Sequence, residues 1–230
     1  MKKYIDRKKI GARAERANIA SIGGLVLLLA SVLLPLFLPK ISNFSFWLMV
    51  LGLGTAMLGI YYANRWVRKP RPEDLLDKAL KGLADSFHLY HYPSLPSDHL
   101  LLTPNGVVVL ETVSLPGLFT YKDGRWKEAM NMGRALRYIV EEHLGDPIKS
   151  ARLTEQVLRE KIAQTSAGAV PIKPVVVFVH PNAQLELDQA PIPVVLAEKL
   201  KKQVSLDAAR LDDAAYQELD TLFQKITLGK

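Results

Sequence analysis

The chain lacks cysteine altogether, which excludes disulfides, thiolate catalysis and cysteine-ligated zinc. It lacks a Gly-rich phosphate loop and a G-x-S-x-G elbow, so neither a P-loop nor an α/β-hydrolase nucleophile is written in it. Internal repeats and low-complexity tracts are absent as well, leaving room in 230 residues for one ordinary domain plus extra segments. The histidines (His88, His91, His99, His143 and His180) show no metal-ligand spacing on one helix, and His88 and His91 fall on opposite faces of a strand. Ser150 and Ser166 have no histidine partner in the sequence pattern. The last two thirds of the chain also lack an excess of basic charge. Residues 71–230 hold nineteen Lys/Arg against twenty-one Asp/Glu, whereas residues 1–70 hold eleven against two. The net +7 therefore belongs to the N-terminal third, and the high isoelectric point is no argument for nucleic-acid binding by the rest.

That N-terminal third contains two runs without any charge. Ile19 to Pro39 reads IASIGGLVLLLASVLLPLFLP, and Ile41 to Asn64 reads ISNFSFWLMVLGLGTAMLGIYYAN. Each is long enough to cross a hydrocarbon core about 30 Å thick at about 1.5 Å rise per residue. The connection around Lys40–Asn43 only turns the chain back, and Pro35 and Pro39 stand where the first helix should end. Trp47 near one end of the second run, with Tyr61, Tyr62 and Trp66 at the other, suits an interfacial aromatic belt. Uncharged runs of this length argue against a helical hairpin buried in a soluble core. A cleaved signal peptide is excluded by the second run, which follows at once, and by the lack of a small-x-small cleavage site. Gly52, Gly54, Ala56 and Gly59 would allow close helix packing.

The expectation is a transmembrane α-hairpin over residues 19–64, with spans at 19–39 and 41–64 and the lipid bilayer as its partner. Lys2, Lys3, Arg7, Lys8, Lys9, Arg13 and Arg16 precede the first span, Arg65, Arg68, Lys69 and Arg71 follow the second, and the turn between them offers only Lys40. By the positive-inside rule both termini are cytoplasmic. Residues 1–18 form a basic cytoplasmic segment able to lie on anionic lipid, residues 65–71 a linker, and residues 72–230 a cytoplasmic domain.

Pro70 and Pro72 break the helix leaving the membrane, which makes that domain separable; Pro72 also suits the first position of a new helix, with Glu73 and Asp74 favourable to its dipole. Leu75, Leu76, Ala79, Leu80 and Leu83 give this helix an apolar face. Strands are expected at His88–Tyr92, Asp98–Thr103, Val107–Val113 and Leu118–Tyr121, with turns at Pro104–Gly106 and Lys122–Gly124. Helices are expected at Met132–His143 and Pro147–Gln164, a buried strand at Pro174–His180, a short one at Pro193–Leu196, then helices at Ala197–Val204 and Asp212–Ile226. This order describes an α/β or α+β sandwich with the hairpin strands central. Within the hairpin, a Pro104-Asn105 turn sets Asp98 across from Glu111, with Cβ atoms about 5 Å apart. Two carboxylates that close can hold Mg²⁺, which takes one or two carboxylates plus water and phosphate oxygens. The alternative is that Glu111 faces solvent at the strand end and Asp98 merely starts a strand.

The segment Asp98–Glu111 (DHLLLTPNGVVVLE), then Gly117, then Asp123–Trp126 (DGRW), resembles the nuclease-related domain (NERD) family of the restriction-endonuclease-like folds. Upstream, Glu73 stands where the family's Gly-Glu motif opens the first helix. Downstream, Asp146–Ser150 (DPIKS) is similar to its Asn-Pro-x-x-Gln, and PVVVFVH follows. The resemblance covers residues 72–226 and implies a central mixed sheet flanked by helices, with metal-dependent phosphodiester cleavage as the ancestral chemistry. It implies Asp98 and Glu111 as catalytic carboxylates, Mg²⁺ as cofactor, and Glu73, Asp98 and Glu111 as metal ligands. The family's lysine two residues after the hairpin glutamate is Val113 here, its glutamine is Ser150, and the Gly before Glu73 is Pro72. Valine has neither charge nor donor, so the water-activating part is missing unless Lys122 or Lys149 replaces it. The reading is a membrane-anchored, catalytically degenerate NERD-like protein with a binding or scaffolding role, the alternative being a working Mg²⁺-dependent nuclease acting on DNA or RNA near the membrane.

Overall fold

The computed structural model describes residues 1–38, 40, 42–129 and 143–229. It divides into two compact units, one built from residues 1–6, 72–129 and 144–229 and the other centred on residues 7–71. The helix expected at Met132–His143 falls outside the described residues, His143 excepted.

The second unit is an antiparallel helical hairpin of α1 (Arg7–Phe37) and α2 (Ser42–Trp66). Its buried positions recur every seven residues: Ile10, Ala17, Gly24 and Ser31 on α1, Ser45, Gly52, Gly59 and Trp66 on α2. Most are small because the backbones touch. A Cβ on Gly24 would meet the Ala56 backbone, and one on Gly59 the Ser21 backbone. Arg13 caps the open end with its guanidinium 4.5 Å from the Trp66 ring centroid. The outward faces remain apolar, with Ile22, Leu29, Leu36, Phe46, Trp47 and Leu58 all exposed. Only 11% and 17% of the most apolar windows of the two helices is buried, far less than a core hairpin would show. Both helices are long and apolar enough to span a membrane.

In the first unit a six-stranded mixed sheet runs β1-β2-β3-β4-β7-β9, where β1 is Lys2–Ile5, β2 His88–His91, β3 His99–Thr103, β4 Gly106–Val113, β7 Ile172–Phe178 and β9 Val194–Leu196. Strands β2, β3 and β4 form the expected antiparallel meander, and the hairpin strands β3 and β4 are central. The two-residue turn Pro104-Asn105 requires Gly106, whose φ is +143° and whose added Cβ would strike the Pro171 carbonyl. Side chains alternate between two covered faces. Leu89, Leu101, Val108, Leu110, Val175 and Val177 pack against Leu76 of α3 (Pro72–Ala79), Leu80 just after it and Leu200 of a 3₁₀ turn (Ala197–Lys202). Tyr90, Leu100, Leu102, Val107 and Val109 pack on the other side against Leu158 and Ile162 of α4 (Pro147–Ile162) and Leu219 and Phe223 of α5 (Asp213–Leu228). The result is the expected mixed sheet flanked by helices.

A smaller sheet, β6-β5-β8, joins β5 (Gly117–Lys122) antiparallel to β6 (Arg125–Glu128) and parallel to β8 (Ala183–Leu187). Trp126 lies against Tyr121 and Phe178. Four elements differ from the sequence reading: the expected helix after Leu196 is a short 3₁₀ turn, the basic N-terminus contributes β1, parallel to β2, and β6 and β8 are strands it does not contain.

Candidate functional site

The site forms where β2 and β4 end and β3 begins. The β3–β4 register pairs His99 with Leu110, so one step further sets Asp98 opposite Glu111, as the turn geometry requires. Alternation from Val109 and Leu100 puts both carboxylates on the α4 face of the sheet. Asp146 caps α4, accepting from Lys149 N–H at 3.0 Å, with Pro147 as the first helical residue; this gives the Asp-Pro motif its physical role. Two turns on, Thr154 Oγ1 accepts from Ser97 N–H at 2.8 Å and lies 3.1 Å from the Ser150 carbonyl oxygen. Ser150 is thereby carried beside the strand that bears Asp98.

Val113 shares the face of Glu111 and is 7% exposed. It packs in a cluster with Leu115, Phe119, Ile148, Ala151, Val176 and Phe178. Lys122, at the end of β5, and Lys149, in the first turn of α4, are both exposed.

Glu73 is carried by a different element. It sits in the first turn of α3, which covers the opposite face, and is buried with Oε2 accepting from the Tyr92 hydroxyl at 2.6 Å. Among the described residues no group of three His, Asp or Glu stands close enough together to hold a metal ion.

Residues that sequence reasoning passed over connect these parts. Tyr92 has φ 57°, a left-handed backbone unusual for a bulky residue, and donates its N–H to the Asp98 carbonyl at 2.6 Å. One residue therefore reaches Glu73 by its side chain and Asp98 by its backbone. His91 and His99, both buried, meet Nδ1 to Nδ1 at 2.9 Å, and His91 Nε2 is 3.1 Å from Asp77 Oδ1. Asp77 Oδ2 accepts from Lys3 Nζ at 2.7 Å. Burial raises the Asp77 pKa, but the hydrogen bonds from His91 and Lys3 outweigh it and leave the carboxyl below its usual range. An ionised Asp77 only accepts, so His91 carries its proton on Nε2 and, in the neutral pair, accepts at Nδ1 from His99. Opposite faces for His88 and His91 hold: His88 Nδ1 is 3.0 Å from Asp220 Oδ1 on α5, on the other side of the sheet.

Comparison with known proteins bears on the strands and helices just described. No curated protein and no solved structure matches the chain. Residues 71–179 match the family model described as Nuclease-related domain, a stretch that opens on α3, contains Glu73, Asp98, Glu111, Val113 and Ser150, and ends just past β7. Over residues 71–179, under half of its length, the chain is similar to the nuclease-related (NERD) family.

Proposed function

We propose that the protein is a membrane-anchored, nuclease-derived domain that has lost hydrolysis and serves binding or scaffolding at a membrane surface. The observation that carries this is Val113. At the position of the family's lysine stands a valine, sealed among Ile148, Ala151, Val176 and Phe178, with neither charge nor donor to offer. Asp98 and Glu111 are the residues that would hold Mg²⁺, which would supply charge neutralisation at a phosphate. Holding a cation does not orient a nucleophile, and the two roles separate here. Exposed Lys122 and Lys149 give no support to a relocated lysine.

Anchoring through two spans, with both termini cytoplasmic, is supported by the basic flanks and by connectivity. β1 precedes the first apolar helix and β2 follows the second, yet they pair in one sheet, so the chain leaves and re-enters its domain on one side. Purified full-length protein, incubated with labelled DNA and RNA in Mg²⁺ or Mn²⁺, should leave both intact. Cleavage abolished by Glu111→Ala would establish instead the working nuclease that the retained carboxylate pair allows. A reporter fused to Lys230 should read cytoplasmic.

A further inference from the structure

Away from the Asp98–Glu111 pair, a cavity of about 370 Å³ opens between β1 and the end of α3, lined by Lys3, Asp77, Lys78, Lys81 and Gly82 among others. Its charge is one-sided. The Asp77 carboxylate is engaged at both oxygens, by Lys3 and His91. The Met1 amino group meets Asp85 at 2.7 Å, while Lys78 and Lys81 are exposed and form no ion pair among the described residues. Lys201 adds a fourth ammonium, its Nζ 3.8 Å from where a Gly82 Cβ would lie. Gly82, at φ +94°, leaves the wall open there. With Lys3 held by Asp77 and the Met1 amino group by Asp85, the ammonium groups of Lys78 and Lys81 leave the cavity with unbalanced positive charge, suited to a phosphate-sized anion.

Connectivity selects the source of that anion. Only Asp6 separates β1 from α1, so Lys3 and Arg7 are at most about 14 Å apart along an extended chain. The 31 residues of α1 measure about 46 Å, close to a bilayer with its head-group layers, so its first, arginine- and lysine-rich turns belong at head-group depth. We propose that the Lys3–Lys78–Lys81 cavity binds the phosphodiester head group of an anionic phospholipid and orients the domain on the membrane. This rests on the membrane anchoring proposed above.

The test uses full-length protein in nanodiscs of phosphatidylcholine alone or with phosphatidylglycerol, followed by amide hydrogen exchange. Each lysine near an anionic surface contributes roughly a factor of five in binding, so amides of Lys78–Leu83 should exchange at least about fivefold more slowly with phosphatidylglycerol present. Lys78→Gln with Lys81→Gln should abolish that difference, with exchange in β3 and β4 unchanged. Equal exchange in the two discs overturns the proposal, as does slowing that survives in the double variant. If inorganic phosphate in phosphatidylcholine discs gives the same protection, the ligand is a soluble phosphate and the lipid assignment fails. Failure to enter the discs would remove the anchoring itself.

Discussion

The strand β1 ties the N-terminus to the sheet, and its removal has a calculable effect. A fragment beginning at Arg71 retains the meander, α3, α4 and α5 but loses Lys2–Ile5 from the edge of β2. The four ladder residues bring hydrogen bonds worth about 1 kcal/mol each and cost a similar backbone entropy to order, so those contributions nearly cancel. The side chains decide the balance. Tyr4 stacks on Tyr90 with centroids 5.0 Å apart and planes 9° from parallel. The aromatic pair contributes about 1 kcal/mol and the half-buried Tyr4 ring about 1 to 1.5 kcal/mol more. The loss is then about 2 to 3 kcal/mol, and it bares the β2 edge to pairing with other chains. Urea unfolding of residues 71–230 should be compared with the same fragment carrying residues 1–6 on a flexible linker. At a slope near 2 kcal/mol/M the midpoints should differ by about 1 to 1.5 M. Tyr4→Ala in the longer fragment should remove most of that difference. Coincident midpoints would refute the reasoning and restore residues 72–229 as self-sufficient.

Val113→Lys introduces an ammonium into an apolar cluster and should lower stability by about 2 to 4 kcal/mol, read by thermal unfolding; an unchanged melting temperature would mean that the position is wet. Asp220 accepts hydrogen bonds from Tyr90 and His88; burial raises its pKa, but these bonds and that from Gln224 outweigh it and leave the carboxyl below its usual range. A depressed carboxyl contributes stability above its unfolded pKa, near 4, that is lost as pH falls through the folded value. Asp220→Asn should therefore cost about 1.5 to 3 kcal/mol at pH 7, with the gap to the unmodified protein closing below about pH 4 in urea titrations. A constant gap would refute that assignment. Gly59→Leu collides with the Ser21 backbone and should separate the helices, seen as lost cross-linking between cysteines introduced at Ala17 and Asn64.

The meander was legible because its strands carry their own punctuation. Pro104-Asn105-Gly106 fixes the turn, and the nearly unbroken apolar run of Val107–Leu110 belongs to a strand covered on both faces. β1 was not legible: Lys2 and Lys3 followed by Tyr4 and Ile5 carry no periodicity, and their strand exists only because β2 offers an edge. β8 reads AQLEL with a single fully buried side chain, so it too depends on a partner, here β5. In the hairpin, glycine positions were visible, but the seven-residue interval linking Gly24 and Ser31 to Ser45, Gly52 and Gly59 gained meaning only when the two helices met.

The candidate site divides in the same way. Asp98 opposite Glu111 follows from counting outward from a two-residue turn, a local rule. Glu73 cannot be placed by counting, because it arrives on a helix that crosses the other face, where it accepts from the Tyr92 hydroxyl. His91 and His99 are eight residues apart and were dismissed for want of helical metal spacing, yet antiparallel pairing brings them to register positions and their rings together. A signal was present: residues equidistant from the β2–β3 turn must face one another, so two buried histidines at such positions have to share a proton or coordinate something. The 2.9 Å approach of the two Nδ1 atoms is such a shared proton. The same relay also ends in Lys3, so the strand that the sequence hid connects the nuclease-like end of the sheet to the basic cavity at its edge.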